Sequence, residues 1–289
     1  MLKSISNRWN EYLFEPIDAI QYSVLRIGLG ALITIYFIQL LPFYPLQFSQ
    51  EGWLANRQDL HLPNAGSWSL LFFTSNNAQT LYFFLTAIFC AGAFTLGFFT
   101  QLTGWVSLIA LISLWNRNPL ILDGDDAILR VMLFYLLLSP CGRILSVDSR
   151  FKYPMIKSEV WPLRLIQFQL AFVYFVSGWV KIHSLEWQDG SVLQYVLVHP
   201  EYSRWDFTEL LTYPFILLLL SALSFTIMWW EILFPFLILY PKSRRTCIII
   251  GIAFHLGLLV FMNLRWFSGI MLTLYLAFVP NKNFRRYFT

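Results

Sequence analysis

Charge is scarce in this chain of 289 residues: only 12% are Asp, Glu, Lys or Arg, about half the share of an ordinary soluble domain. No polar block is long enough to fold as a separate water-facing domain. A soluble protein is thereby excluded, and a content of 57% hydrophobic and 19% aromatic residues places the chain in a bilayer. Cysteine is nearly absent. Cys90, Cys141 and Cys247 lie in or beside apolar runs without paired spacing, so neither a disulfide framework nor a zinc site is indicated. Internal repeats and low-complexity segments are also lacking. The net charge of +4 does not point to nucleic acid, because the basic residues fall mainly in short loops between apolar runs, where they report topology.

What is present is a series of apolar runs, each near the length of about 20 residues needed to cross the hydrocarbon core. The candidates are Ile20–Leu41, Ala78–Phe99, Thr103–Trp115 extending to Leu122, Ala127–Cys141, Trp161–Ile182, Leu211–Leu239, Cys247–Met262 and Phe267–Val279. The first is too long for a secretory signal and carries Arg26, so it reads as a retained helix. Leu211–Leu239 holds Pro214 and Pro235 and reads as one kinked helix. The expected fold is a single domain over residues 1–289, an all-α polytopic membrane bundle of about eight helices.

An even count puts both termini on one side. Lys3, Arg8, Arg143, Arg150, Lys152, Lys157, Lys242, Arg244, Arg245, Lys282, Arg285 and Arg286 fall there, against Arg57, Arg117, Arg204 and Arg265 opposite. The positive-inside rule makes the terminal side cytoplasmic. Two outer loops carry tryptophans: one from about Pro42 to Asn77, with the stretch His61-Leu-Pro-Asn-Ala-Gly, the other from about His183 to Glu209.

Within the fifth run, Gln167, Tyr174 and Lys181 recur every seven residues and share one helix face, joined by Ser177 and Gly178. A polar stripe on a membrane helix points into the bundle. A lysine there is a candidate proton acceptor, because desolvation disfavours its ammonium form; a lysine near a helix end also snorkels to the headgroups. Glu231, amid Trp229, Trp230 and Pro235, must be protonated or paired at membrane depth. Its sequence-level partners are His255, Arg26 and Arg130. His255 sits mid-run in the seventh helix, where a packing role and a catalytic one both remain open. Asp123-Gly-Asp125-Asp126 opens the fourth helix, and capping competes there with a role facing an outer cavity. No metal-loop spacing is found.

The run Phe172-Val-Tyr-Phe-Val-Ser-Gly-Trp-Val-Lys181-Ile, followed by Trp187-Gln-Asp-Gly190, resembles the core of vitamin K-dependent gamma-glutamyl carboxylases and of the horizontally transferred transmembrane (HTTM) family. Asn118–Arg130, Ser146-Val-Asp148, and His255 followed by the Met262–Ser268 turn agree in the same order. The resemblance implies Lys181 as the base toward a reduced vitamin K or related quinol. The deprotonated hydroquinone reacts with oxygen, and the strong base so formed takes a proton from a peptide glutamate before carbon dioxide adds. His255 and Glu231 join Lys181 as candidate catalytic residues, with Gln167, Tyr174, Asp125, Asp126 and Trp187 as candidate substrate contacts. Asp125 and Asp126 stand near a position where the carboxylases have a histidine, a departure from the family pattern. The carboxylases also carry a long luminal region, whereas this chain stops at Thr289.

The expected function is therefore a quinol- or lipid-linked modifying enzyme in a bacterial inner membrane. A non-enzymatic partner in the maturation or export of a small peptide, of the sporulation-delaying toxin type, is the alternative, and a small transporter using Glu231, His255 and Arg26 is a third. Membrane lipid and a small peptide on the outer face are the expected partners. The outer cavity is expected to hold about 300–1,000 Å³.

Overall fold

The computed structural model describes residues 9–54, 67–121, 123–151 and 157–280. The His61-Leu-Pro-Asn-Ala-Gly stretch and several of the topology-reporting charges (Lys3, Arg8, Arg57, Lys152, Lys282, Arg285 and Arg286) lie outside them. Each of the eight apolar runs contains helix. Among the described residues, five helices are long and apolar enough to cross a membrane: Ile20–Gln47, Asn77–Leu96, Trp161–Ile182, Pro214–Leu239 and Arg244–Phe261. Their outward faces suit lipid, with Phe89 and Leu218 each 67% exposed, a state that water would penalise.

The chain folds as two compact units, Met1–Ile166 with Val279–Thr289, and Gln167–Phe278. In the first, a short antiparallel pair joins β1 (Pro16–Asp18) to β2 (Lys157–Glu159). Its helices are α1 (Ile20–Leu40), the short α2 (Tyr44–Gln47), α3 (Asn77–Leu96), α4 (Thr100–Arg117) and α5 (Gly124–Leu137). Here α1 packs on α3, α3 on α4 and α4 on α5. Asn76 caps the start of α3 by accepting the Gln79 N–H at 2.9 Å, and Gly97, with φ of 73°, ends it in the left-handed conformation.

Two buried arginines hold the loops of this unit. Arg26 of α1 donates to the carbonyls of Cys141 at 2.8 Å, Ile144 and Leu145. Arg117, in the last turn of α4, donates to the carbonyls of Phe48 at 2.8 Å, Leu54 at 2.9 Å and Ser49 at 2.6 Å. The sequence reading treats Arg117 as a loop charge; the structure buries it, because a five-donor fork satisfies carbonyls that helix ends leave without partners.

The helix α6 (Trp161–Ile182) begins in the first unit and opens the second from Gln167. The short α7 (Leu185–Gln188) and α8 (Val192–Val198) follow, then α9 (Pro214–Leu239), α10 (Arg244–Phe261) and α11 (Arg265–Leu274), which ends in a 3₁₀ turn at Tyr275–Phe278. The helix expected over Leu211–Leu239 starts at Pro214, where a proline's missing N–H costs nothing. Residues Leu210–Thr212 form a separate 3₁₀ turn, and Pro235 falls inside a continuous helix. The segment before α9 is tied to the α10–α11 turn: Ser203 bridges Met262, and Asn263 N–H donates to the Tyr202 carbonyl at 2.8 Å.

Candidate functional site

Lys181 and Glu231 meet. Lys181 Nζ lies 2.7 Å from Glu231 Oε2, as an ion pair whose aligned hydrogen bond goes elsewhere, to Ser177 Oγ at 2.6 Å. Ser177 is one turn before Lys181 on α6, so its hydroxyl bridges the two charges. The ammonium also stands over the Trp187 ring, 5.0 Å from its centroid, within cation–π reach. Of the partners that the sequence offered Glu231, none is used. Arg26 is bound to carbonyls of the first unit, and Arg130 lies over Trp115 at 3.9 Å.

Gly178 makes this meeting geometrically feasible. A Cβ at that position would come within 2.8 Å of the Ile232 backbone nitrogen and 3.0 Å of Glu231 Cβ. Only glycine lets α6 approach α9 so closely at the turn bearing the acid.

The pair faces a cavity of about 170 Å³ built wholly from the second unit. Tyr174, Trp187, Phe254 and Phe267 supply aromatic walls, and Val173, Leu193, Ile227, Leu258 and Met271 aliphatic ones. The volume is smaller than the expected 300–1,000 Å³, because the aromatic side chains fill the space that helix spacing alone would leave.

Behind the cavity wall lies a second polar cluster. The Tyr174 hydroxyl hydrogen-bonds His255 Nε2 at 2.6 Å and the Tyr275 hydroxyl, and its ring stacks on Phe234 at 3.8 Å. His255 is fully buried, and its Nδ1 has no hydrogen-bond partner among the described residues. Tyr275 fits because α10 carries Gly251, where a Cβ would fall 2.0 Å from the hydroxyl. Tyr275 was not singled out in the sequence. A phenolic hydroxyl in the last apolar run was the available signal, but only tertiary packing brings it to Tyr174.

A family model for the HTTM domain matches residues 14–282. The chain belongs to the HTTM domain family. No curated protein and no solved structure matches it.

Within this HTTM domain, the sequence-derived residues separate by position. Lys181, Glu231, Tyr174 and Trp187 line one cavity. His255 touches Tyr174 from behind, and Gln167, nearer the start of α6, donates to the Ala277 carbonyl at 2.6 Å. Neither of these two is among the lining residues. Asp125 and Asp126 belong to the first unit. Asp126 Oδ2 accepts the Asp123 N–H at 2.9 Å and Asp125 Oδ1 the Asp126 N–H at 3.0 Å, the capping arrangement of a helix start. The Tyr36 hydroxyl also reaches Asp126. Partial burial and the neighbouring Asp126 carboxylate push the Asp125 carboxyl up to about 6.

Proposed function

We propose that this HTTM protein is an integral membrane enzyme acting on a quinol- or lipid-type substrate, with the Lys181–Glu231 pair as its proton-transfer centre. The observation that carries the reading is the charged pair in the wall of an otherwise apolar, aromatic-lined cavity. An ion pair costs several kcal/mol to desolvate, which favours a use beyond packing.

The pair suits proton abstraction from an acidic hydroxyl. As Lys181 takes a proton from such a group, it gives one of its own to Ser177 Oγ, whose hydroxyl proton passes to Glu231. Lys181 then remains an ammonium and pairs with the new oxyanion, while Glu231 becomes neutral. The cavity thus holds one positive and one negative charge before and after, and no isolated charge is created in an apolar site. His255 acts through Tyr174 as a positioning residue.

The lining also fits a quinol headgroup: Trp187, Tyr174, Phe254 and Phe267 can flank a ring, and Lys181 can meet its hydroxyl. A volume of about 170 Å³ suits the ring alone, so a prenyl tail would extend out of the cavity. When bound, a reduced quinol would supply an acidic hydroxyl and reducing equivalents. Gln167, which is not among the lining residues, would serve the protein outside this cavity.

A second reading is favoured by one observation: Lys181 is already satisfied by Glu231, Ser177 and Trp187. On that reading the pair is structural and the chain is a non-enzymatic partner for a small peptide at the outer face. We further propose eight spans with both termini cytoplasmic, in a bacterial inner membrane.

The deciding experiment combines mass spectrometry of ligands retained by purified protein with Lys181→Arg, which keeps the charge but cannot act as a base near neutral pH. Retention of a quinone or lipid-borne hydroxyl by the natural chain, together with loss of function in a folded Lys181→Arg variant, is the expected result. A fully functional Lys181→Arg variant would show Lys181 to be an anchor and sink the enzyme reading.

A further inference from the structure

One hollow of the first unit has no part in the site above. It lies between the start of α4 and the end of α5, holds about 1,030 Å³, and is walled by Phe98, Phe99, Leu102, Leu137 and Leu138. These walls are open, with Phe99 61% and Leu102 65% exposed. Leu138, Pro140 and Arg143 also border a second hollow of about 420 Å³, whose other walls include Lys157 and Trp161. An apolar groove and a basic hollow therefore meet at Arg143.

Arg143 makes no ion pair among the described residues. The two carboxylates nearby face donors of their own. Asp148 accepts the Phe99 N–H at 2.9 Å, the Thr100 N–H at 2.8 Å and the Thr100 hydroxyl at 2.7 Å, closing the N-terminus of α4. Glu159 Oε2 accepts the Trp161 indole N–H at 2.9 Å. Among the described residues, the Arg143 and Lys157 side chains have no such partners. Phe99 also holds a left-handed backbone with φ of 45°, unusual for a bulky residue; the Asp148 bond to its N–H fixes this turn.

We propose that this region is a binding site for one anionic phospholipid. Its phosphate lies between Arg143 and Lys157, and an acyl chain runs along Phe98, Leu102 and Leu138. Planar guanidinium suits phosphate oxygens, and a tryptophan such as Trp161 anchors at headgroup depth. Choline or ethanolamine would bring a third cation beside two that lack partners, so phosphatidylglycerol is preferred over phosphatidylcholine. The site lies on the side that the basic residues assign to the cytoplasm, where anionic lipid recognition by basic pockets is expected.

The test is native mass spectrometry of the full chain in detergent, with equimolar phosphatidylglycerol and phosphatidylcholine added. Each cation contributes roughly fivefold to anionic-lipid binding. The natural chain should therefore retain phosphatidylglycerol in clear excess, and Arg143→Gln should lower that retention roughly fivefold with unchanged thermal unfolding. Leu102→Trp, which narrows the acyl groove and leaves both cations, should lower it as well and decides the matter if Arg143→Gln does not fold. Equal retention of the two lipids, unchanged retention in Leu102→Trp, or displacement of the lipid by millimolar inorganic phosphate would each overturn the proposal.

Discussion

Removing Glu231 alone and removing the whole ion pair should have different consequences. Glu231→Ala leaves an ammonium without its counter-ion, a loss of about 3 kcal/mol or more by analogy with broken buried pairs. Replacing both partners by apolar groups of similar size removes the desolvation cost as well. The double variant Lys181→Met/Glu231→Leu should accordingly unfold at or above the natural temperature in a detergent melt, yet lack function. Full activity in that double variant would show that the pair is only structural. Gly178→Ala should act at the same place, because its Cβ would press on Ile232 and Glu231 Cβ. Asp125 offers a pH signature in the first unit. Its carboxyl titrates near 6 when folded, against an ordinary value of 3.8. The neutral acid is therefore the form the fold prefers, and the penalty is absent below pH 4, grows between 4 and 6, and is complete above 6. Asp125→Asn should raise the unfolding temperature at pH 7 and leave it unchanged at pH 3.5.

At the scale of the element, α4 is tied to distant sequence at both of its ends. Asp148 caps α4 across 48 residues, and Arg117 satisfies three carbonyls of the preceding segment from the last turn of the same helix. Arg117→Lys keeps the charge but replaces a planar fork with a single point, so it cannot hold all three carbonyls. Bonds from charged donors are worth about 1.5–3 kcal/mol each. A drop in stability of about 3 kcal/mol is expected, measurable as a lowered detergent midpoint. Asp148→Ala should cost about 1–2 kcal/mol as a lost helix cap; a silent substitution there would mean that water replaces the carboxylate.

For the whole molecule, the open matter is how many helices cross. Five meet the length and apolarity needed, while α5, with 14 residues, spans about 21 Å, short of a hydrocarbon core of about 30 Å. α11, with 10 residues, is shorter still, so the proposed eight spans require the bilayer to thin locally around both helices. Reporter fusions after Lys157 and after Thr289 should signal cytoplasm, and a fusion after Gly190 the outside. An outside signal from the terminal fusion would remove the eight-span topology together with the cytoplasmic placement of the Arg143 site.

Apolar periodicity and run length were enough to read an all-helical membrane chain, and the motifs around Lys181 were enough to suggest the HTTM family, because lipid forces the backbone into helices and leaves few places for a lysine. The stripe of Gln167, Tyr174 and Lys181, joined by Ser177 and Gly178, was legible for the same reason, since one helix fixes its own faces. What no single helix fixes is which face of its neighbour it meets. The sequence therefore paired Glu231 with His255, Arg26 or Arg130, whereas packing of α6 on α9 at Gly178 paired it with Lys181. The carbonyl partners of Arg26 and Arg117, the hydroxyl of Tyr275 against Tyr174, and the small volume of the cavity were likewise decided by contacts between residues far apart in the chain. Such contacts depend on the shapes of both surfaces at once, and a pattern read along one segment carries no information about the other.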